Sequence, residues 1–242
     1  MSPKSIRVCL SPALLPFYDL SDTIAVVIDI FRATSSMCYG LANGANAIIP
    51  VEELDECLSY RSNGHLLAAE RDGKVVEGFD FGNSPFSYTK DKVEGKTIVL
   101  TTTNGTRAIQ RCIGAEAVVI GSFLNISALT DWLKNQSRHI LLVCAGWKNH
   151  FNLEDTVFSG ALVHRLKTTD IELDDAAYAA ESLYLEAQGN LSTYLSKASH
   201  SKRMQHLQIA QDVAFCLLED QVSVIPILKG HELVPLTLPH LL

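Results

Sequence analysis

Five short polar segments carry the residue types that could do chemistry, and each follows a short apolar run or a shaped loop. Asp29-Ile30-Phe31-Arg32-Ala33-Thr34-Ser35-Ser36 follows residues 24–28 (IAVVI) and opens a helix-like stretch. Ligands of α/β folds gather at the carboxyl ends of strands, and a helix start there offers free N–H groups to an anion. Asp29 could hold a metal and Arg32 could fork onto a phosphate or sulfonate, or the pair could be a helix cap beside a surface charge. Ala69-Glu70-Arg71-Asp72-Gly73 ends another strand-like run, where Glu70 or Arg71 could face a cleft or belong to an ordinary charged turn. In residues 77–85 (EGFDFGNSP) two glycines and a proline mark a shaped loop that could press Asn83 and Ser84 against a ligand, or simply turn the chain.

The fourth segment, residues 101–107 (TTTNGTR), puts Thr103, Asn104, Gly105, Thr106 and Arg107 at a helix start. Hydroxyls, an amide, a glycine and an arginine there make an anion cradle, or an Asn-Gly turn with Thr106 as cap. In the fifth, Cys144-Ala145-Gly146-Trp147 leads to Glu154 and Asp155 at a further helix start. Two adjacent carboxylates suit a magnesium ligand or a general base, and also suit the helix dipole alone.

Other chemistries are excluded by spacing. A haloacid-dehalogenase-type phosphatase needs a second Asp two residues after Asp29, and that position is Phe31. Gly95-Lys96-Thr97 has the last letters of a phosphate-binding loop, but position 90 is Lys and a strand follows. There is no HExxH motif and no CxxC pair, so a zinc site is not indicated. His65 and His139 occupy matching strand positions, which argues for packing, and His150 is the one histidine near a proposed site.

These segments need strands to hold them. Residues 24–28, 47–51, 98–100, 117–120 and 140–143 are Val/Ile-rich runs, apolar on both faces and alternating with helix-like stretches. That pattern predicts an α/β fold with a largely parallel sheet between helix layers. GANAII at 44–49 echoes GAEAVV at 114–119 in a similar strand–helix context. Strand–helix units can look alike by patterning alone; if the echo is a duplication, it predicts two similar α/β/α lobes, divided at residues 1–120 and 121–242 with lobes that can interleave, and a ligand cleft between them. Towards the end, Leu207, Ala210, Ala214, Leu217 and Leu218 share one helical face in a segment beginning near Ser201. Residues 222–228 and 233–236 read as terminal strands, and Pro226 and Pro235 predict edge positions for them.

The 242 residues are 47% hydrophobic and 19% charged, enough apolar material for a large core. The net charge of −7 argues against nucleic acid, which needs a basic footprint. The six cysteines lie mostly in apolar runs, the first ten residues lack a signal-peptide pattern, and no apolar run reaches membrane-spanning length. A cytoplasmic protein with no membrane partner is the expectation, with a homodimer left open.

Taken together and in order, VVIDIFRATSS, NGANAIIPV, AAERDGKVVEGFDFGNSP, TIVLTTTNGTRAI and VCAGWKNHFNLED resemble the ComB family of 2-phosphosulfolactate phosphatases from about residue 6 to the VIPIL segment. Phe31 and residues 147–150 are positions where variation is expected, and they bear on substrate detail more than on fold. The resemblance implies magnesium-assisted hydrolysis of 2-phosphosulfolactate to 3-sulfolactate and phosphate, an activity that serves coenzyme M synthesis in methane-forming archaea. It also implies intertwined α/β/α units with the active site in their cleft. On that reading Asp29, Glu70, Glu154 and Asp155 share in holding Mg2+. Arg32, Arg71 and Arg107 clamp the substrate's anions, with Asn83 and residues 103–106 donating hydrogen bonds. Asp29, Glu154 and Asp155 are the catalytic candidates: Glu154 or Asp155 protonates the leaving alkoxide, and Asp29 either assists water attack or takes up the phosphoryl group. A phosphatase for another small phosphorylated hydroxy acid, or a non-catalytic small-anion binder, are the alternatives.

Overall fold

The computed structural model describes residues 4–204 and 209–237. Eleven strands form one sheet: β1 (Ser5–Cys9), β2 (Thr23–Ile28), β3 (Ala47–Pro50), β4 (Leu66–Arg71), β5 (Lys74–Val75), β6 (Thr97–Thr101), β7 (Ala117–Gly121), β8 (His139–Cys144), β9 (Glu172–Leu173), β10 (Pro226–Lys229) and β11 (Glu232–Pro235). Their order across the sheet is β5-β4-β6-β3-β11-β10-β7-β2-β8-β1-β9. The two blocks β4-β6-β3 and β7-β2-β8-β1-β9 are parallel within themselves, and β5 adds to β4 antiparallel. The β10–β11 hairpin lies antiparallel between the blocks.

The helices are α1 (Ala33–Ala42), α2 (Leu54–Ser59), α3 (Lys90–Val93), α4 (Gly105–Arg111), α5 (Ile126–Lys134), α6 (Leu153–Leu166), α7 (Asp175–Ala187), α8 (Leu191–Leu195), α9 (Ser199–Met204) and α10 (Ala210–Cys216). Alternate residues of one strand reach opposite helix layers, as the two-residue period requires. Ile24, Val26 and Ile28 pack with Leu129, Phe158 and Ala180 of α5, α6 and α7. Ala25 and Val27 pack with Met37 of α1 and Ile109 of α4. A smaller apolar group under α2 joins Ile49, Cys57, Leu67 and Val99. The expected α/β architecture with a mostly parallel sheet is therefore what forms, and all six cysteines are buried and free.

The echoing segments become β3 and β7, which flank the terminal hairpin on its two sides. Residues 1–120 supply strands to both blocks, and position 120 falls inside β7. The edge expectation for Pro226 and Pro235 is corrected: their strands are central. The two prolines face each other at the open end of the hairpin, and contact with the blocks runs through Ile227↔Val119 and Leu233↔Ile48. A missing N–H is tolerated there because no ladder bond is required at those positions. The first terminal strand is shorter than expected, beginning at Pro226, and the second is displaced by one residue, running from Glu232 to Pro235. The helical stretch beginning near Ser201 is two helices, α9 and α10, and Leu207 lies outside the described residues. Among the described residues no helix is long and apolar enough to cross a membrane.

Candidate active site

β2 is buried at every position and delivers Asp29 to its carboxyl end. Thr34 closes the turn into α1: its N–H and its hydroxyl both donate to the Asp29 carbonyl, at 3.0 and 2.9 Å, and its Oγ1 accepts from the Asp29 N–H at 3.1 Å. The Phe31–Arg32 peptide within that turn is cis. The Asp29 carboxylate is left facing inward, 8% exposed, and accepts from the N–H groups of Ala33 and Gly105. Gly105 is required at this spot. A Cβ there would sit 2.7 Å from the Ala33 Cβ and 2.8 Å from Asp29 Oδ2.

The acidic pair at the start of α6 divides its work. Asp155 Oδ1 accepts from the Ile30 N–H at 2.9 Å, while Oδ2 accepts from the Gly146 N–H at 3.0 Å and the Asn152 amide at 2.9 Å. With these three donors Asp155 braces the loops after β2 and β8. Glu154 takes the N–H groups at its own helix start, is 2% exposed, and leaves Oε2 without a partner among the described residues. Glu70 arrives from the other block, at the end of β4. It accepts from the Gly73 N–H in the β4–β5 turn and from the Thr103 N–H at 3.4 Å.

Burial and mutual repulsion set the electrostatics. Desolvation, then Glu70, push the Asp29 carboxyl up to about 7, against the two backbone donors. Desolvation also raises Glu154, opposed by helix-start N–H groups and Arg203. Asp155 is raised well above the usual carboxylate range by burial, then by Asp29 and Glu154.

Arg32 lines the cavity beside Asp29 and Glu70. It is 5% exposed, ion-paired with Asp212 of α10, and donates to the Gly73 carbonyl at 3.1 Å. Asp212 is fixed in turn by the Ser84 hydroxyl at 3.0 Å. A cavity of about 20 Å³ is lined by Asp29, Phe31, Arg32, Glu70, Gly73, Asn83, Asn104, Trp147, His200 and Ile209. Strand-end segments far apart in sequence therefore do converge: Asp29, Arg32, Glu70, Asn83 and Asn104 line one space, with Glu154 and Asp155 close enough to act on Asp29 electrostatically.

Other expected residues stand elsewhere. Arg71 donates to the carbonyls of Glu70 and Glu52 and to Thr101 Oγ1, holding strand ends together. Thr106 lies inside α4 and turns to the backbone: its hydroxyl donates to the Thr102 carbonyl at 3.1 Å and its N–H donates to Thr102 Oγ1 at 3.2 Å. Gly105 packs on Asp29, as described above. Arg107 points along the outside of α4 toward Glu52 and Glu53, and Thr103 lines the same outer side rather than the carboxylate cavity. His150 closes a tight turn with Trp147 through two 2.9 Å backbone bonds.

Sequence reasoning missed the contribution of α9 and α10. His200 stacks on Phe31 with centroids 5.0 Å apart, and the Arg203 guanidinium lies 4.4 Å over the Trp147 ring. Asp212 anchors Arg32. A lone His, Arg and Asp in a tail with no motif give no signal until the fold carries the tail across the site.

The donor set suits a hard divalent cation in part. Buried carboxylates repelling one another, with an orphaned Glu154 Oε2 and an orphaned Asn83 Oδ1, are oxygen ligands of the kind magnesium takes. No group of three His, Cys, Asp or Glu among the described residues forms a ready cage. Magnesium needs none, since one or two carboxylates plus waters and phosphate oxygens complete its octahedron.

Comparison with known proteins agrees with this geometry. Residues 9–231 match the family described as 2-phosphosulpholactate phosphatase. A probable 2-phosphosulfolactate phosphatase of Thermotoga petrophila is 46% identical over 204 residues, covering 84% of this chain and 88% of its own length. Proteins of the same name from Thermotoga maritima and Caldanaerobacter subterraneus are 44% identical over 204 residues and 40% identical over 217, covering 88% and 90% of their own lengths. With the match running through every segment that lines the cavity up to Ile209, the chain belongs to the 2-phosphosulpholactate phosphatase family, a family of phosphoric monoester hydrolases.

Proposed function

We propose that this chain hydrolyses 2-phosphosulfolactate to 3-sulfolactate and phosphate with the help of Mg2+. The observation that carries the reading is the convergence of Asp29, Glu70 and Glu154 with Arg32, Asn83 and Asn104 at the carboxyl ends of strands from both blocks. Asp29 and Glu70 would hold the cation, which when bound polarises the phosphoryl group and neutralises its charge. Arg32, held by Asp212 and the Gly73 carbonyl, would donate to a phosphoryl oxygen. The side-chain amides of Asn83 and Asn104 orient the same group, and burial excludes bulk water. Glu154 is suited to protonate the leaving alkoxide, because burial favours its neutral form and Oε2 has no partner among the described residues. Asp155, held by three donors, keeps the loops after β2 and β8 in register.

Phosphate release from 2-phosphosulfolactate tests this directly. Activity should disappear in chelator and return with Mg2+. Asp29→Asn and Arg32→Ala should each lower kcat by roughly 100-fold or more, and Glu154→Gln by roughly 10- to 100-fold. Full turnover in chelator, or in all three correctly folded variants, would end the reading.

A further inference from the structure

The carboxylate cavity holds about 20 Å³, room for little more than a water molecule, so most of a substrate must lie outside it. Asn104 lines that cavity and also a second pocket of about 210 Å³ on its outer side, shared with Thr103, Arg107, Arg111, Lys148 and Asn149. Every charged side chain lining the second pocket is cationic, in a chain whose net charge is −7. Arg107 and Arg111 stand four residues apart on α4, a spacing at which like charges repel. Lys148 adds a third positive charge from the loop after β8.

These cations are poorly neutralised within the protein. Arg107 meets Glu52 and Glu53 only at 4.0 and 3.5 Å, and Lys148 meets Asp72 at 3.1 Å, all on exposed side chains. Pairs of that kind contribute about 1 kcal/mol or less and exchange readily for another anion. Arg111 donates to the Asn149 side-chain oxygen at 3.1 Å. Among the described residues it has no carboxylate partner. The loop is built to hold this arrangement. Lys148 and Asn149 both adopt left-handed backbone angles, φ 49° and 65°, and the Lys148 N–H donates to Asn104 Oδ1 at 2.8 Å. Thr103 Oγ1 is buried without a partner among the described residues.

We propose that this pocket is a subsite for a second anionic group of the substrate, a sulfonate or carboxylate carried on the carbon chain beyond the phosphate ester. Arg111 and Lys148 are its specificity-determining residues, and Asn104 links it to the reacting centre. The inference rests on the phosphatase reading above and assigns a place to the part of the substrate that does not react.

The test compares kcat/KM for three esters: 2-phosphosulfolactate, 2-phospholactate, which lacks the sulfonate, and glycerol 2-phosphate, which lacks both acids. In the Arg111→Ala/Lys148→Ala double variant, kcat/KM for 2-phosphosulfolactate should fall roughly 10- to 100-fold, mainly through KM. Its preference over glycerol 2-phosphate should shrink by the same factor, and Arg111→Lys should keep most of it. Whether the preference over 2-phospholactate shrinks as well assigns the subsite to sulfonate or to carboxylate. Wild-type preference retained in the folded double variant would overturn the subsite. If the wild type hydrolyses none of the esters, the phosphatase reading fails separately. The subsite is then judged by titration with 3-sulfolactate, where binding lost in the double variant supports it and no binding to the wild type overturns it.

Discussion

At the scale of single residues the site is a set of carboxylates kept together against their own repulsion. Asp29, Glu154 and Asp155 all have raised proton affinity in the folded chain, so the folded state binds more protons than the unfolded one between roughly pH 4 and 7. Their contribution to stability is present at low pH and is lost as pH rises through the folded value, about 7 for Asp29. His200 has the opposite sign. Burial, then Arg203 and Arg32, push it down to about 4, so its contribution is present above 6.5 and lost as pH falls toward 4. In chelator, thermal stability should therefore fall as pH rises from roughly 5 to 8, with His200 flattening the low-pH end of the curve. Glu154→Gln, which removes one charge facing Asp29, should be more stable than wild type by about 1 kcal/mol at pH 8, with the gap closing by pH 5. Melting curves across that range check both statements. Asp29, Arg32, Glu70 and Glu154 were legible in the sequence because charged residues after buried strands have few places to go. Thr106 and Arg71 carried the same letters, but composition cannot tell which way a side chain turns, and theirs turn to backbone.

At the scale of elements, the strands were readable because each is apolar on both faces, and the helix starts were readable from the polar turns before them. The terminal hairpin was misplaced by its prolines, since a rule about ladder bonds does not apply at the open end of a hairpin. The two short helices α9 and α10 were the least legible, yet they supply Phe31's stacking partner, Trp147's cation and Arg32's anchor. Their packing narrows the space beside Asp29 and Arg32 to about 20 Å³. Asp212→Asn keeps a hydrogen-bonding partner for Ser84 and Arg32 but removes the charge. It should lower kcat/KM roughly tenfold with unchanged circular dichroism, and steady-state kinetics on the folded variant measures it.

At the scale of the molecule, the candidate site draws on two blocks of sheet. Glu70 comes from one block, and Asp29 with Glu154 comes from the other, while β10 and β11 stand between them. Leu233 is fully buried where β11 meets β3. Leu233→Ala should cost about 2–5 kcal/mol, and urea denaturation should show it as a lowered midpoint. The whole-sheet order was not legible, because nothing local in residues 226–235 says that they lie between segments made more than a hundred residues earlier. That order also gives β10 and β11 a spacer's role. Paired antiparallel to β7 on one side and β3 on the other, they set the separation of the strand ends that carry Asp29 and Glu70. A change that loosened this wedge would let the two carboxylates drift apart while each parallel block kept its own strands paired.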